Sequence, residues 1–191
     1  VNYHIGGVIL LASNDNFAPA PQTASEAQAL IGRLQRLEWD DSTNVEVDPS
    51  TGERNDSTYV PLLVGITQEG NGSISNQILD GLTPLPSEMA IGATWNKDLA
   101  TSVGAVQGRE LAALGFNIMF GPSLDVLESP DPSASGDLGT LAFGGDPYWV
   151  GEMGRAYISG LHAGSGGRML VIARHFPGRG GSDRLPEDEI A

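Results

Sequence analysis

The sequence predicts an α/β fold built on a parallel sheet. Apolar runs of strand length alternate along the chain with segments of helical periodicity. The strand runs are continuously apolar, as in strands buried on both faces; a half-solvated strand would alternate. A doubly wound open sheet and a (β/α)8 barrel both fit that order. No G-x-G-x-x-G follows a strand, so a dinucleotide-binding sheet lacks its usual support.

Ile5 to Leu11 is the first strand, an apolar run bounded by polar residues. Thr23 to Trp39 is the first helix. Thr23 and Glu26 have capping-box spacing, and Ala27, Leu30, Ile31, Leu34 and Leu37 share one face. Residues 40–59 are polar, with turn signals at Asp48-Pro49 and Thr51-Gly52, and read as a surface excursion. Val60 to Thr67 is the second strand and runs into the polar loop Gln68 to Gly72. A short strand is expected about Met89 to Ala93, after a loop punctuated by proline. Asn96 caps a helix to Leu114, with Leu99, Val103, Val106, Leu111 and Leu114 inward and Gly115 closing it. Phe116 to Phe120 is the next strand and leads through Gly121-Pro122 to Asp125. Residues 128–145 form a second long loop. Asp146 and Pro147 open a helix as N-cap and first residue, with Val150, Met153, Tyr157 and Leu161 as its buried stripe. Met169 to Ala173 is the fifth strand, and Pro186 with Glu187, Asp188 and Glu189 begins one more helix.

The 191 residues suffice for one domain with a real core. Lys and Arg number 10 against 24 Asp and Glu, a formal charge of −14. That excess repels nucleic-acid phosphates and anionic membranes and reads most simply as solubility. Cysteine is absent, which excludes disulfides and Cys-ligated zinc. The acidic spacing in 40–59 does not fit an EF-hand loop, and no pattern calls for a metal or organic cofactor. No run approaches the roughly 18 apolar residues of a membrane span. The chain begins without Met and stops inside an expected helix, so both ends are expected to be cut, and no signal peptide is legible.

Leu170 to Gly178 is the most informative stretch. A buried strand stops on Arg174 and His175, and a Pro-Gly turn and a glycine-rich loop follow. In parallel barrels the carboxyl ends of strands are where ligands sit. Arg174 has a second use, pairing with a strand-end carboxylate such as Asp125. His175 has the alternative of a core histidine satisfied by a backbone carbonyl.

Motifs spread over the whole chain then resemble the N-terminal barrel of family 3 glycoside hydrolases, especially the β-N-acetylhexosaminidase branch. They run in family order: Gly6 to Leu10, Pro61-Leu62-Leu63 with Gln68-Glu69-Gly70, and Pro84 to Ser87. Gly92-Ala93-Thr94, Glu110-Leu111, Leu114 to Asn117 and Leu124-Asp125-Val126 come next. Phe143-Gly144, Asp146-Pro147 and His175 to Gly178 complete the series. The resemblance implies a TIM-barrel-like (β/α)8 fold, of which residues 1–191 are a single partial domain with about the first five strands. It implies a retaining glycosidase acting on non-reducing β-linked N-acetylhexosamine, with β-glucose as second choice. It also implies a carbohydrate partner, no cofactor, a nucleophile beyond residue 191, and a secreted or cell-envelope setting in a bacterium.

Several positions depart from the family. Thr67 stands for the Asp of Asp-Gln-Glu-Gly, Leu141-Ala142 for the Arg-Ser of Arg-Ser-Phe-Gly, and Arg174 for a Lys. Asp183-Arg184 stands about where an Asp-Ser-His acid/base dyad would be, and no His follows His175. The substrate-binding candidates are therefore Arg174, His175, Asp125, Thr67, Glu69 and Arg184. Asp183 is the acid/base candidate, with the N-cap of the next helix as its alternative. Arg184 can hold charge but cannot give up a proton near neutral pH. His4 and His162 read as structural. Trp95 and Trp149 suit either stacking on a pyranose or packing between helix and sheet. The competing function is a non-catalytic barrel that binds glycan or serves as an assembly module. A phosphate-binding barrel using the Gly178 to Ser182 loop is opposed by the net charge. An open part-barrel exposes strand edges and an apolar face, so these residues alone are expected to be poorly soluble or oligomeric.

Overall fold

The computed structural model describes residues 5–43, 46–47, 50–52, 54–55, 58–70, 76–129 and 139–179. In chain order the elements are β1 (Gly7–Ile9), a 3-10 turn (Ala12–Asn14), α1 (Thr23–Thr43), β2 (Glu46–Val47), β3 (Arg54–Asn55) and β4 (Leu63–Ile66). They continue with α2 (Glu88–Gly92), α3 (Lys97–Leu114), β5 (Ile118–Ser123), α4 (Pro147–Gly164) and β6 (Leu170–Arg174). The main sheet has four parallel strands in the order β1-β4-β5-β6. Each crossover between them carries helix, as parallel neighbours require.

The helix signals in the sequence act as expected. Asn96 Oδ1 accepts from the N–H groups of Asp98 (2.9 Å) and Leu99 (3.2 Å), and Gly115 ends α3 at φ 101°. Asp146 caps α4 through the Trp149 N–H at 2.7 Å, with Pro147 as first residue. The start of α1 differs by one position. Thr23 is already helical, and the Gln22 carbonyl accepts from the Glu26 N–H at 2.9 Å. Leu37 and Leu99, expected on inner faces, are exposed.

Three further expectations are corrected. Met89 to Ala93 is not a strand but the helix α2, because the Ser87 hydroxyl caps it through the Ala90 N–H at 3.3 Å. A five-residue apolar run does not by itself distinguish the two. The main sheet therefore has four strands among the described residues, not five. Within the 40–59 excursion, α1 runs on to Thr43 and β2 pairs antiparallel with β3, the turn signals lying between them.

The core lies between the sheet and α1, α3 and α4. Val64, Ile66 and Met119 point into it from the strands, against Ile31, Val103, Leu111, Met153 and Leu161. The opposite face is open among the described residues: Ile9, Leu63, Leu170 and Ile172 are 51%, 41%, 56% and 46% exposed. Among the described residues the continuously apolar strands are thus covered on one face and exposed on the other.

α3 and α4 meet backbone to backbone. A Cβ on Gly104 would lie 2.2 Å from the Tyr157 carbonyl oxygen, and one on Gly160 would lie 2.1 Å from that of Thr101. Gly108 and Gly164 make matching approaches. The replacement Gly104→Ala is expected to cost about 2 kcal/mol by overpacking. Urea unfolding checks this, and an unchanged midpoint would contradict so close a contact.

Candidate active site

Three adjacent parallel strands deliver polar side chains to one end of the sheet. Glu69 follows β4, Asp125 follows β5, and Arg174 and His175 close β6. The peptide between Arg174 and His175 is cis. These are the carboxyl ends of the strands, where α/β sheets bind ligands.

Glu69 and Arg174 form a forked ion pair across β5. Arg174 Nε donates to Glu69 Oε1 at 3.2 Å and Nη2 donates to Oε2. The Glu69 side chain is wholly buried, whereas Arg174 keeps an exposed edge of 27%. The loop carrying Glu69 is pinned from beneath. Asn76 Oδ1 accepts from the Glu69 and Gly70 N–H groups at 2.7 and 3.0 Å, and Gln68 Nε2 donates to the Ile78 carbonyl at 2.7 Å. A planar guanidinium held on two oxygens has a fixed orientation that a lysine ammonium would lack.

Asp125 and His175 form the second pair. Asp125 Oδ2 lies 2.6 Å from His175 Nδ1 and accepts from Ser123 Oγ at 3.0 Å, and Oδ1 accepts from the Arg179 N–H at 2.8 Å. Burial raises the Asp125 carboxyl, but the hydrogen bonds from Arg179, His175 and Ser123 outweigh it and hold the group below its ordinary value. Asp125 is therefore a carboxylate at neutral pH, and His175 Nδ1 carries the hydrogen. That leaves Nε2, on a ring 30% exposed, as the nitrogen that can meet a ligand.

A third acid, Glu88, is the first residue of α2. It is 1% exposed, and neither carboxyl oxygen has a hydrogen-bond partner among the described residues. Burial, then the charge of Glu69, push its pKa up to about 9, against the opposing effects of its own backbone N–H and of Arg174. Tyr157 on α4 is also pushed up, by burial first and then by Glu88 and Glu69. Its hydroxyl donates to Gln107 Oε1, and Gln107 Nε2 donates to the Gln68 carbonyl.

Of the six substrate-binding candidates, the structure brings together Arg174, His175, Asp125 and Glu69, with partly buried Thr67 at the end of β4. The alternative pairing of Arg174 with Asp125 is corrected. Arg174 binds Glu69, and Asp125 binds His175. His175 is not satisfied by a backbone carbonyl at Nδ1 but by a carboxylate. Asp183, Arg184 and the expected helix from Pro186 lie outside the described residues, as does His4. Trp95 and Trp149 stack on each other at 4.8 Å, with Trp95 largely exposed. Sequence reasoning missed Glu88, Ser123 and the Gln107–Tyr157 link. Only Ser123, two residues before Asp125 at a strand end, had a readable signal. A cavity of about 180 Å³ lies behind the Gln68–Gly70 loop against Gln107 and Leu111, and none of the four paired residues lines it.

Parallel strands that carry an ion pair and a carboxylate–imidazole pair to their carboxyl ends define a TIM-barrel-like α/β domain with a polar cluster at one end. The chain belongs to glycosyl hydrolase family 3, whose N-terminal domain description matches residues 1–189. It is 36% identical over 126 residues to a beta-hexosaminidase of Thiobacillus denitrificans, covering 63% of this chain and 33% of that protein. It is 30% identical over 182 residues to a beta-N-acetylglucosaminidase/beta-glucosidase of Cellulomonas fimi, covering 95% and 25%. Its fold is similar to that of a family 3 beta-N-acetylglucosaminidase from Paenibacillus sp. str. FPU-7, with a TM-score of 0.73, 27% identity, and coverage of 95% of this chain and 29% of that one. The chain thus spans between a quarter and a third of the length of these relatives.

Proposed function

We propose that the protein carrying this chain hydrolyses non-reducing β-linked N-acetylhexosaminides with retention, with β-glucosides as the second substrate class. The observation that carries the reading is the pair of pairs, Glu69–Arg174 and Asp125–His175, at the carboxyl ends of neighbouring strands. The exposed edge of Arg174 and His175 Nε2 serve as hydrogen-bond partners for sugar hydroxyls. Asp125 keeps the imidazole in one tautomer, and Glu69 keeps the guanidinium in one plane. The nucleophile comes from outside these residues, and Asp183 is the acid/base within them. A retaining mechanism needs both groups, one to form the glycosyl–enzyme bond and one to protonate the leaving oxygen.

The test is turnover of aryl β-N-acetylglucosaminide and aryl β-glucoside by the full-length protein. His175→Ala and Asp125→Asn are each expected to lower kcat/KM by about 10- to 100-fold, the worth of one charge-assisted hydrogen bond. Unchanged turnover in both would remove these residues from the site. Arg174 being committed to Glu69, with Thr67 and Leu141 supplying no charge, favours one second reading: a barrel that binds glycan without cleaving it. Calorimetric sugar binding with no turnover would support it.

A further inference from the structure

Trp95 and Trp149 take no part in the scheme above. Trp95 lies in the turn that joins α2 to α3, and Trp149 in the first turn of α4. Their rings stack at 4.8 Å with 29° between the planes. Trp149 is the fixed member: it packs on the core, and its Nε1 donates to the Gly92 carbonyl at 3.4 Å. Trp95 rests one face on that ring and is 67% exposed. Its backbone is left-handed at φ 52°, a region that a bulky side chain enters only at a cost. Burial does not explain an indole held in the open on a strained turn. Beside the pair lies a cavity of about 170 Å³, lined also by Met89, Phe143, Gly144 and Asp146. Its back is tightly built, because a Cβ on Gly92 would lie 1.7 Å from the Phe143 carbonyl oxygen. It is open above Gly144, where a Cβ would meet nothing within 4 Å. Asp146 gives Oδ1 to the Trp149 N–H, which leaves Oδ2 to accept from a ligand. None of Glu69, Asp125, Arg174 and His175 lines this cavity.

Shape and charge select the ligand class. A free indole face takes a flat partner ring. Nucleobases bring phosphates, which a formal charge of −14 repels. In the amino-terminal halves of α3 and α4 the only cations are Lys97 and Arg155, and both are paired with Glu152, so an anionic polysaccharide finds no counter-charge there. A β-linked hexopyranose chain is neutral and ribbon-like. Its substituents are equatorial, so each ring offers a face of C–H groups and keeps its hydroxyls at the edge. We propose that Trp95, backed by Trp149, is a binding platform for one pyranose of a neutral β-linked glycan, with the adjoining cavity and Asp146 receiving the edge of that sugar. This is a second glycan contact, separate from the paired strand-end centre, and it needs no catalysis.

Calorimetric titration of the full-length protein with chitohexaose and with cellohexaose tests the platform. Trp95→Gly removes the ring at a position where glycine takes the same φ without strain. It is expected to weaken binding of at least one hexaose by about tenfold. Trp95→Asn, which also tolerates left-handed backbone, repeats the test, and Trp95→Phe should keep most of the affinity. The same loss is expected when Trp95→Gly is placed on His175→Ala, because contacts at separate sites add. That background separates this inference from the glycosidase reading. A protein without turnover fails the latter, and the platform stands if the Trp95 effect persists. The proposal is overturned if Trp95→Gly and Trp95→Asn bind both hexaoses like wild type, or if their loss disappears on His175→Ala. It is also overturned if wild type and Trp95→Gly show equal acrylamide-quenchable emission, since chain beyond these residues would then cover the ring.

Discussion

Arg174→Ala is expected to destabilise the protein by about 3–5 kcal/mol at neutral pH, the cost of leaving one member of a buried ion pair alone. The Glu69 side chain has no exposure to water, and both of its oxygens accept from this one guanidinium. Losing it strands a carboxylate that is wholly buried. Arg174→Lys keeps the charge but supplies a single point of contact, and should cost less than alanine while still losing the planar fork on Glu69. Denaturant unfolding of both variants at neutral pH separates the two effects. A neutral-pH loss under about 1 kcal/mol for the alanine variant would contradict the buried-pair account.

Glu88→Gln is expected to do the reverse and stabilise the protein. The folded state holds the Glu88 proton up to about pH 9, whereas the ordinary value of the group is 4.5. Between those limits the folded chain binds the proton and the unfolded chain does not. The contribution of this group is therefore complete below pH 4.5 and declines as pH rises, until it is lost at about pH 9. The slope is about 1.4 kcal/mol per pH unit, so the variant should gain on the order of 3 kcal/mol at pH 7 and almost nothing at pH 4.5. Melting curves of both proteins across this range check the result. Parallel curves, or a variant less stable than wild type at pH 8, would show that the acid carries no such burden.

The parts of the fold written in local chemistry were readable. Asn96, Gly115, Asp146 and Pro147 act through neighbours two to four residues away, so their meaning survives in a linear chain. His175 and Asp125 were also legible, because each lies within a few residues of the end of an apolar run and a strand has only two ends. What could not be read depends on register. Arg174 finds Glu69 at a separation of 105 residues, whereas Asp125 is claimed by an imidazole 50 residues away. Both carboxylates are strand-end acids in the sequence, and only the order β1-β4-β5-β6 with its pairing decides which partner each one meets. Glu88 was hidden for a different reason. It begins a run short enough to pass as strand, and an acid before such a run looks like a solvated turn. Its burial follows from α2 lying between two loops that the sequence left without a position.

The glycine contacts between α3 and α4 have a consequence for how this scaffold can change. Side chains at an ordinary helix junction can trade volume, one growing as another shrinks, and the axes stay put. Here hydrogen atoms meet carbonyl oxygens, so there is nothing to trade, and any added methyl must lever one rod off the other. The amino ends of both rods carry Trp95 with Trp149 and the turn at Asp146. A lineage that altered this joint would therefore tilt the rim at the carboxyl ends of the strands along with it, tying inheritance of the frame to inheritance of its mouth.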